Sequence, residues 1–174
     1  SFQSGMLSLG YLVAVLAMIR VGEKILQRVG AKKPMIWGAL ITTSGVAMMG
    51  LTFLPDITYT AVVFVGFALF GLGLGIYATP STDTSVSNAP SDKVGQAAGV
   101  YKMASSLGGA FGVAISAAVY GSAAASGNLE FAATLGILVN VAFGILSIIS
   151  IITLVPDSAG KARISEKAGV AVSD

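Results

Sequence analysis

The sequence predicts an all-α protein that crosses a membrane several times, and three observations carry that reading. Across 174 residues, 55% are hydrophobic and only 10% are charged, with a mean hydropathy of +0.85. A water-facing domain carries about 25% charge. The apolar residues gather in five stretches, near 5–20, 35–54, 60–79, 95–120 and 131–155, and a helix needs roughly 20 such residues to cross a bilayer. The bases of the connections fall only in alternate ones, which is the charge bias of membrane loops.

Each stretch has its own grounds. The first ends at Arg20, a long side chain that can stay helical and reach for headgroups. The second opens after Pro34 and the third after Pro55; Pro80, Pro90 and Pro156 are read as boundaries as well, because proline cannot continue a hydrogen-bonded turn. Ser91 is placed as the N-cap of the fourth helix, with Asp92 in its first turn. The fifth stretch is apolar on every side from Val139 to Val155, which excludes the alternation of a transmembrane strand. Trp37, Tyr59 and Tyr120 lie near span ends, where amphipathic aromatics favour the interface.

The connections set the expected topology. Arg20, Lys24, Arg28, Lys32 and Lys33 flank the first, Lys93 lies in the third, and Lys161, Arg163 and Lys167 follow the last span, whereas the second and fourth hold no base. The first and third loops and the tail, residues 157–174, are thus expected in the cytoplasm, with the polar tail disordered. The chain opens on Ser1 without a basic leader or a cleavage site, and more sequence is expected upstream.

Composition also removes function classes. Ten Lys and Arg against eight Asp and Glu leave +2, too slight for a nucleic-acid footprint. Without cysteine or histidine there is no disulfide, no Cys or His metal site and no Cys or His nucleophilic couple. No apolar stretch holds an acid, so an intramembrane carboxylate pair is excluded too. No metal and no cofactor is expected. Gly71, Gly73 and Gly75 lack the G-x-G-x-x-G spacing and the strand-to-helix context of a dinucleotide loop; they suit a helix that packs closely on two neighbours or bends.

The fourth stretch carries most information. At about 100° per residue, Gly95, Gly99, Lys102, Ser106, Gly109 and Ser116 share one face, opposite Val100, Ala104, Leu107, Phe111 and Ile115. The small face is expected to meet protein or a water-filled cavity, with the glycines as packing positions. Lys102 on that face is either functional or snorkels to the headgroups. Asp83 is the nearest acid by depth, and an Asp83–Lys102 ion pair would hold two helices in one state.

In this order the loop Gly22 to Pro34, the run Gly71 to Thr84 and the run Gly95 to Ala114 resemble the C-terminal half of fourteen-helix drug/proton antiporters of the major facilitator superfamily. The resemblance covers Ser1 to about Pro156. It implies that the five spans belong to the C-terminal bundle of that fold, in a bacterial cytoplasmic membrane. The remainder of the polypeptide would complete the fold and hold the proton-carrying acids. It also implies efflux of small amphipathic drugs such as quinolones, by proton antiport. Gln27, Arg28, Gly30, Lys32 and Lys33 would be the second copy of the superfamily's loop motif, with Gln27 in place of the usual acid. Cavity-lining candidates are Tyr11, Tyr77, Tyr101, Lys102 and Met103. Two other readings stay open: a metabolite transporter of the same fold, and a membrane scaffold derived from a transporter half.

Overall fold

The architecture follows from where each helix can stop. The computed structural model describes residues 2–157 and residue 159, with side chains from Leu16 onward. It contains five α-helices: α1 (Phe2–Val29), α2 (Lys32–Met49), α3 (Asp56–Ser87), α4 (Val94–Ala124) and α5 (Leu129–Leu154). No strand is present among the described residues. Three helical segments, Asp56–Ser87, Ser91–Ala124 and Leu129–Leu154, are long and apolar enough to cross a membrane.

α1 does not stop near residue 20. Glu23, Lys24, Leu26, Gln27 and Arg28 are all good helix formers, and nothing breaks the helix before Gly30. There the backbone turns to φ 84°, a conformation that favours glycine, and the Gly30 N–H donates to the Leu26 carbonyl at 3.1 Å. The basic connection is therefore mostly helix.

Pro80, expected as a boundary, lies inside α3. It has no N–H for the carbonyl of Ile76, four residues back. α1 comes very close at this level: a Cβ on Gly22 would lie 3.0 Å from the Ile76 carbonyl oxygen. Beyond the proline, the hydroxyls of Thr82, Thr84 and Ser85 donate to the carbonyls of Ala78, Pro80 and Ser81 at 2.9, 2.7 and 2.9 Å. Neighbouring helices and hydroxyl side chains are what make an internal proline tolerable in such helices. Pro55, Pro90 and Pro156 do sit at element ends, and Pro34 lies in the first turn of α2, where no N–H is required. Ser91 does not cap α4: Ser91–Lys93 form a 3-10 turn, and α4 starts at Val94 without a side-chain cap.

α3 is the hub. It packs along α2, against α1 and, more thinly, against α4, while α5 closes a ring by packing on both α2 and α4. The α2–α3 seam is built from two reciprocal glycine pairs at equal spacing, Gly38 with Gly73 and Gly45 with Gly66. A Cβ on Gly38 would lie 2.7 Å from the Gly73 carbonyl, and one on Gly45 would lie 2.6 Å from that of Gly66. Backbones that close leave no room for any side chain, and they maximise dispersion contact where lipid offers no hydrophobic drive. α5 reaches α2 in the same way, since Gly144 faces Thr43. At the far end of α2, Thr52 donates to the Glu130 carbonyl at 3.0 Å, and the Thr52 and Thr134 hydroxyls stand 2.6 Å apart.

At the opposite end the chain doubles back. The expected tail, 157–174, lies outside the described residues except for Asp157 and Ala159, and these two are docked. The Ala31 N–H donates to the Ala159 carbonyl at 3.0 Å, and Ala159 joins Leu26, Ala31, Met35, Ala39 and Ile151 in the buried core. Asp157 pairs with Lys32 at 3.0 Å. Two lysines at the start of α2 oppose its dipole, and an acid placed there relieves the conflict.

The outer surface suits a bilayer. Val100, Leu107, Phe111 and Val113 on α4, and Leu138, Ile145, Leu146 and Leu154 on α5, are all about half exposed or more. Soluble monomers rarely expose contiguous apolar patches of this extent.

Candidate functional site

The residues that the sequence brings forward gather around α3 and α4. Tyr101 is the contact between them: its hydroxyl donates to Ser81 Oγ at 3.0 Å, and Ser81 is only 4% exposed. This bond fixes how α4 is rotated against α3. It turns Ala97, Tyr101, Gly112 and Ser116 toward protein. Farther along α4, Asn140 Nδ2 of α5 donates to Ser116 Oγ at 2.8 Å and to its own Gly136 carbonyl at 3.2 Å.

Lys102 is one residue from Tyr101, hence about 100° around the helix, and it projects from the uncovered side, exposed, beside Met103 at 58% exposure. Gly95, Gly99 and Gly109 share that side, and a Cβ on any of them would meet nothing within 4 Å among the described residues. The expectation that these glycines pack on a neighbour finds no neighbour in this chain, because α4 turns a different face to α3 and α5.

Asp83 and Lys102 are not brought together. Ser81 faces α4, and Asp83, two residues on, lies about 200° around α3. It lines a cavity of about 440 Å³ beside α1, with Ile19, Ala78, Thr79, Thr82 and Val86. Tyr77 points elsewhere again. It packs on the buried core and lines a cavity of about 180 Å³ between α2, α3 and α5, with Thr42, Thr43, Gly144 and Ser147. The side chain of Tyr11 lies outside the described residues.

Gly73 meets α2 in the seam, and the Gly75 carbonyl oxygen would be 3.2 Å from a Cβ on Gly22 of α1; Gly71 is buried. In the loop motif, Gln27 donates to Glu23 at 3.4 Å, Gly30 makes the turn, Lys32 pairs with Asp157, and Arg28 and Lys33 are exposed.

Sequence reasoning missed Ser81, Asn140, Thr43 and Asp157. A signal existed for Asn140, the one carboxamide in the run 131–155. Equal seven-residue glycine spacings at 38–45 and 66–73 would have revealed the seam. Ser81 and Asp157 carried no signal, because their partners are remote in sequence.

Removing the Tyr101 hydroxyl tests the α3–α4 contact. Tyr101→Phe leaves a nearly buried Ser81 hydroxyl without its donor, which is expected to cost about 1 kcal/mol. A Tm lowered by a few degrees in detergent, with Tyr120→Phe unchanged, is the expected result.

A model of the Major Facilitator Superfamily matches residues 1–113. The chain belongs to the major facilitator superfamily. Among superfamily members, the quinolone resistance protein NorB of Staphylococcus aureus strain MRSA252 is 55% identical over 156 residues. The NorB proteins of strains COL and JH9 are 56% and 55% identical over the same length. These alignments cover 90% of this chain and 34% of each relative. This superfamily chain thus spans about a third of the length of the curated relatives it matches. It is a transporter-family, bacterial-type membrane protein, and its partner in the first instance is the lipid bilayer.

Proposed function

We propose that the chain is part of a secondary active transporter that exports amphipathic drugs of the quinolone class, by proton antiport. The observation that carries this is the 55% identity to quinolone resistance proteins over 156 residues, 90% of this chain. In this reading α1 and α2 also cross the bilayer, so that all five helices form part of one bundle, and the remainder of the polypeptide supplies the other. Alternating access then moves one bundle against the other. The uncovered side of α4 supports it: Lys102 and Met103 stand on a face that no described helix covers, as residues lining a shared cavity would. Tyr101 acts through Ser81 as the residue that aims that face.

The test is energised efflux. A drug-sensitive host expressing the complete polypeptide that bears this chain should lose a fluorescent fluoroquinolone faster than the empty host, and a protonophore should abolish the difference. Accumulation equal to that of the empty host, with the protein present in the membrane, would reject drug export. Loss that persists under the protonophore would reject proton coupling.

In the same reading the basic connection and the tail lie in the cytoplasm and the α4–α5 turn outside, a topology supported by the division of the connections' bases between alternate ones. This chain has no cysteine, so single cysteines report on their own positions once those elsewhere in the polypeptide are removed. An impermeant thiol reagent on intact cells should label Asn128→Cys and spare Lys33→Cys; the reverse pattern would invert the topology.

A further inference from the structure

Four of the five bases around the first connection divide into two kinds. Lys32 is largely shielded and held by Asp157. Arg20, Lys24 and Arg28 are exposed and form no ion pair among the described residues. They follow one another at intervals of one helical turn, and they span about 12 Å along the axis of α1 at 1.5 Å per residue.

Their direction follows from the packing of α1. Gly22 and Leu26 are buried, with Met18, Ile19 and Ile25 half-buried around them. At about 100° per residue, Arg20, Lys24 and Arg28 centre on the side opposite Gly22. One turn before Arg20, the same outward side carries Leu16, 64% exposed, and Ala17. Along one face the helix thus passes from apolar residues to three consecutive bases. Glu23 is the one acid on this stretch, and it sits off the stripe with Gln27 donating to it. A membrane helix that leaves the hydrocarbon with such a stripe has its charges at headgroup depth.

We propose that Arg20, Lys24 and Arg28 form a docking surface for the headgroups of anionic phospholipids. Each base near an anionic surface strengthens association about fivefold, and a column of three reaches successive depths of the interface rather than one plane. Arginine at the first and last positions offers planar, bidentate donation to phosphate oxygens. A neutral headgroup carries the same phosphate but compensates it with its own cation, so the surface discriminates by net charge. The inference rests on the reading above only in that α1 crosses the bilayer, not on what the protein carries, and its failure would leave the efflux reading untouched.

The experiment uses the complete polypeptide in vesicles of phosphatidylcholine, with a fluorophore on Leu16→Cys and brominated lipid as quencher. Brominated phosphatidylglycerol should quench at a mole fraction about tenfold lower than brominated phosphatidylcholine. The preference should weaken at high salt and vanish in the Arg20→Gln, Lys24→Gln, Arg28→Gln triple variant. The charge-conserving Arg20→Lys, Lys24→Arg, Arg28→Lys variant should keep most of it. Should the triple variant fail to fold, Lys24→Gln alone should lose a measurable share. Equal quenching by the two lipids, a preference that survives neutralisation, or a stripe that neither lipid reaches because other protein covers it would each overturn the proposal. Displacement by millimolar soluble glycerol phosphate would overturn it in favour of a small-phosphate site.

Discussion

Gly73→Val is expected to remove the protein from the membrane. A Cβ at this position would sit 2.5 Å from the Thr42 backbone nitrogen and 2.6 Å from the Gly38 carbonyl oxygen, and against the Thr42 hydroxyl. Two of those three atoms belong to backbone and cannot rotate away, so α2 and α3 must separate along the whole seam. Overpacking of this kind costs roughly 3 kcal/mol. Separation also forfeits the Gly45–Gly66 contact seven residues along, because rigid helices part together. The intrinsic helical gain of replacing a glycine, about 1 kcal/mol, is too small to offset this. Gly121→Ala is the control: nothing among the described residues lies within 4 Å of its added Cβ, so only the helical gain remains. Thermal unfolding in detergent and abundance in membranes should fall sharply for the first and hold or rise slightly for the second. An unchanged Gly73→Val protein would show that α2 and α3 are not held in backbone contact at this level.

Lys102→Met is expected to lower drug efflux on the order of tenfold, equivalent to about 1.4 kcal/mol, at unchanged abundance. Lys102 lies eight residues into α4, about 12 Å along the axis, on a side that holds no partner for it among the described residues. Methionine keeps the stem's apolar volume, so packing against lipid or protein is preserved and only the charge is lost. Asp83 is not its counter-charge in this conformation, because it faces the cavity beside α1. Asp83→Asn is therefore expected to act independently of Lys102→Met, with effects that multiply rather than overlap. Wild-type efflux by Lys102→Met at equal abundance would leave snorkelling as the account of the lysine.

The prolines show how far local reading goes. Pro55, Pro90 and Pro156 end or precede elements because a missing N–H and a fixed φ act within the residue itself. Pro80 obeys the same chemistry and still lies inside α3, because its cost is met by hydroxyls on the following turn and by α1 approaching at Gly22. The first is legible from one position. The second requires knowing which helix lies alongside.

The candidate site divides the same way. Periodicity places Tyr101, Lys102 and the α4 glycines at correct angles to one another, since all belong to one rigid helix. It does not say which angle meets α3. The Tyr101–Ser81 hydrogen bond decides that, and it separates Asp83 from Lys102, which had matched by depth alone.

By itself, the sequence determined the class of solvent, the helical state and the approximate bounds of the apolar segments. These follow from the transfer energy of side chains and from hydrogen bonds that close within four residues. Tertiary structure alone decided the rotation of each helix, the docking of Asp157 and Ala159 under the first connection, and which glycines are indispensable. Those outcomes depend on contacts at van der Waals distance between residues far apart in the chain. In lipid, where burial of apolar surface does not distinguish one face from another, only the fit of small residues and a few hydrogen bonds can make that choice.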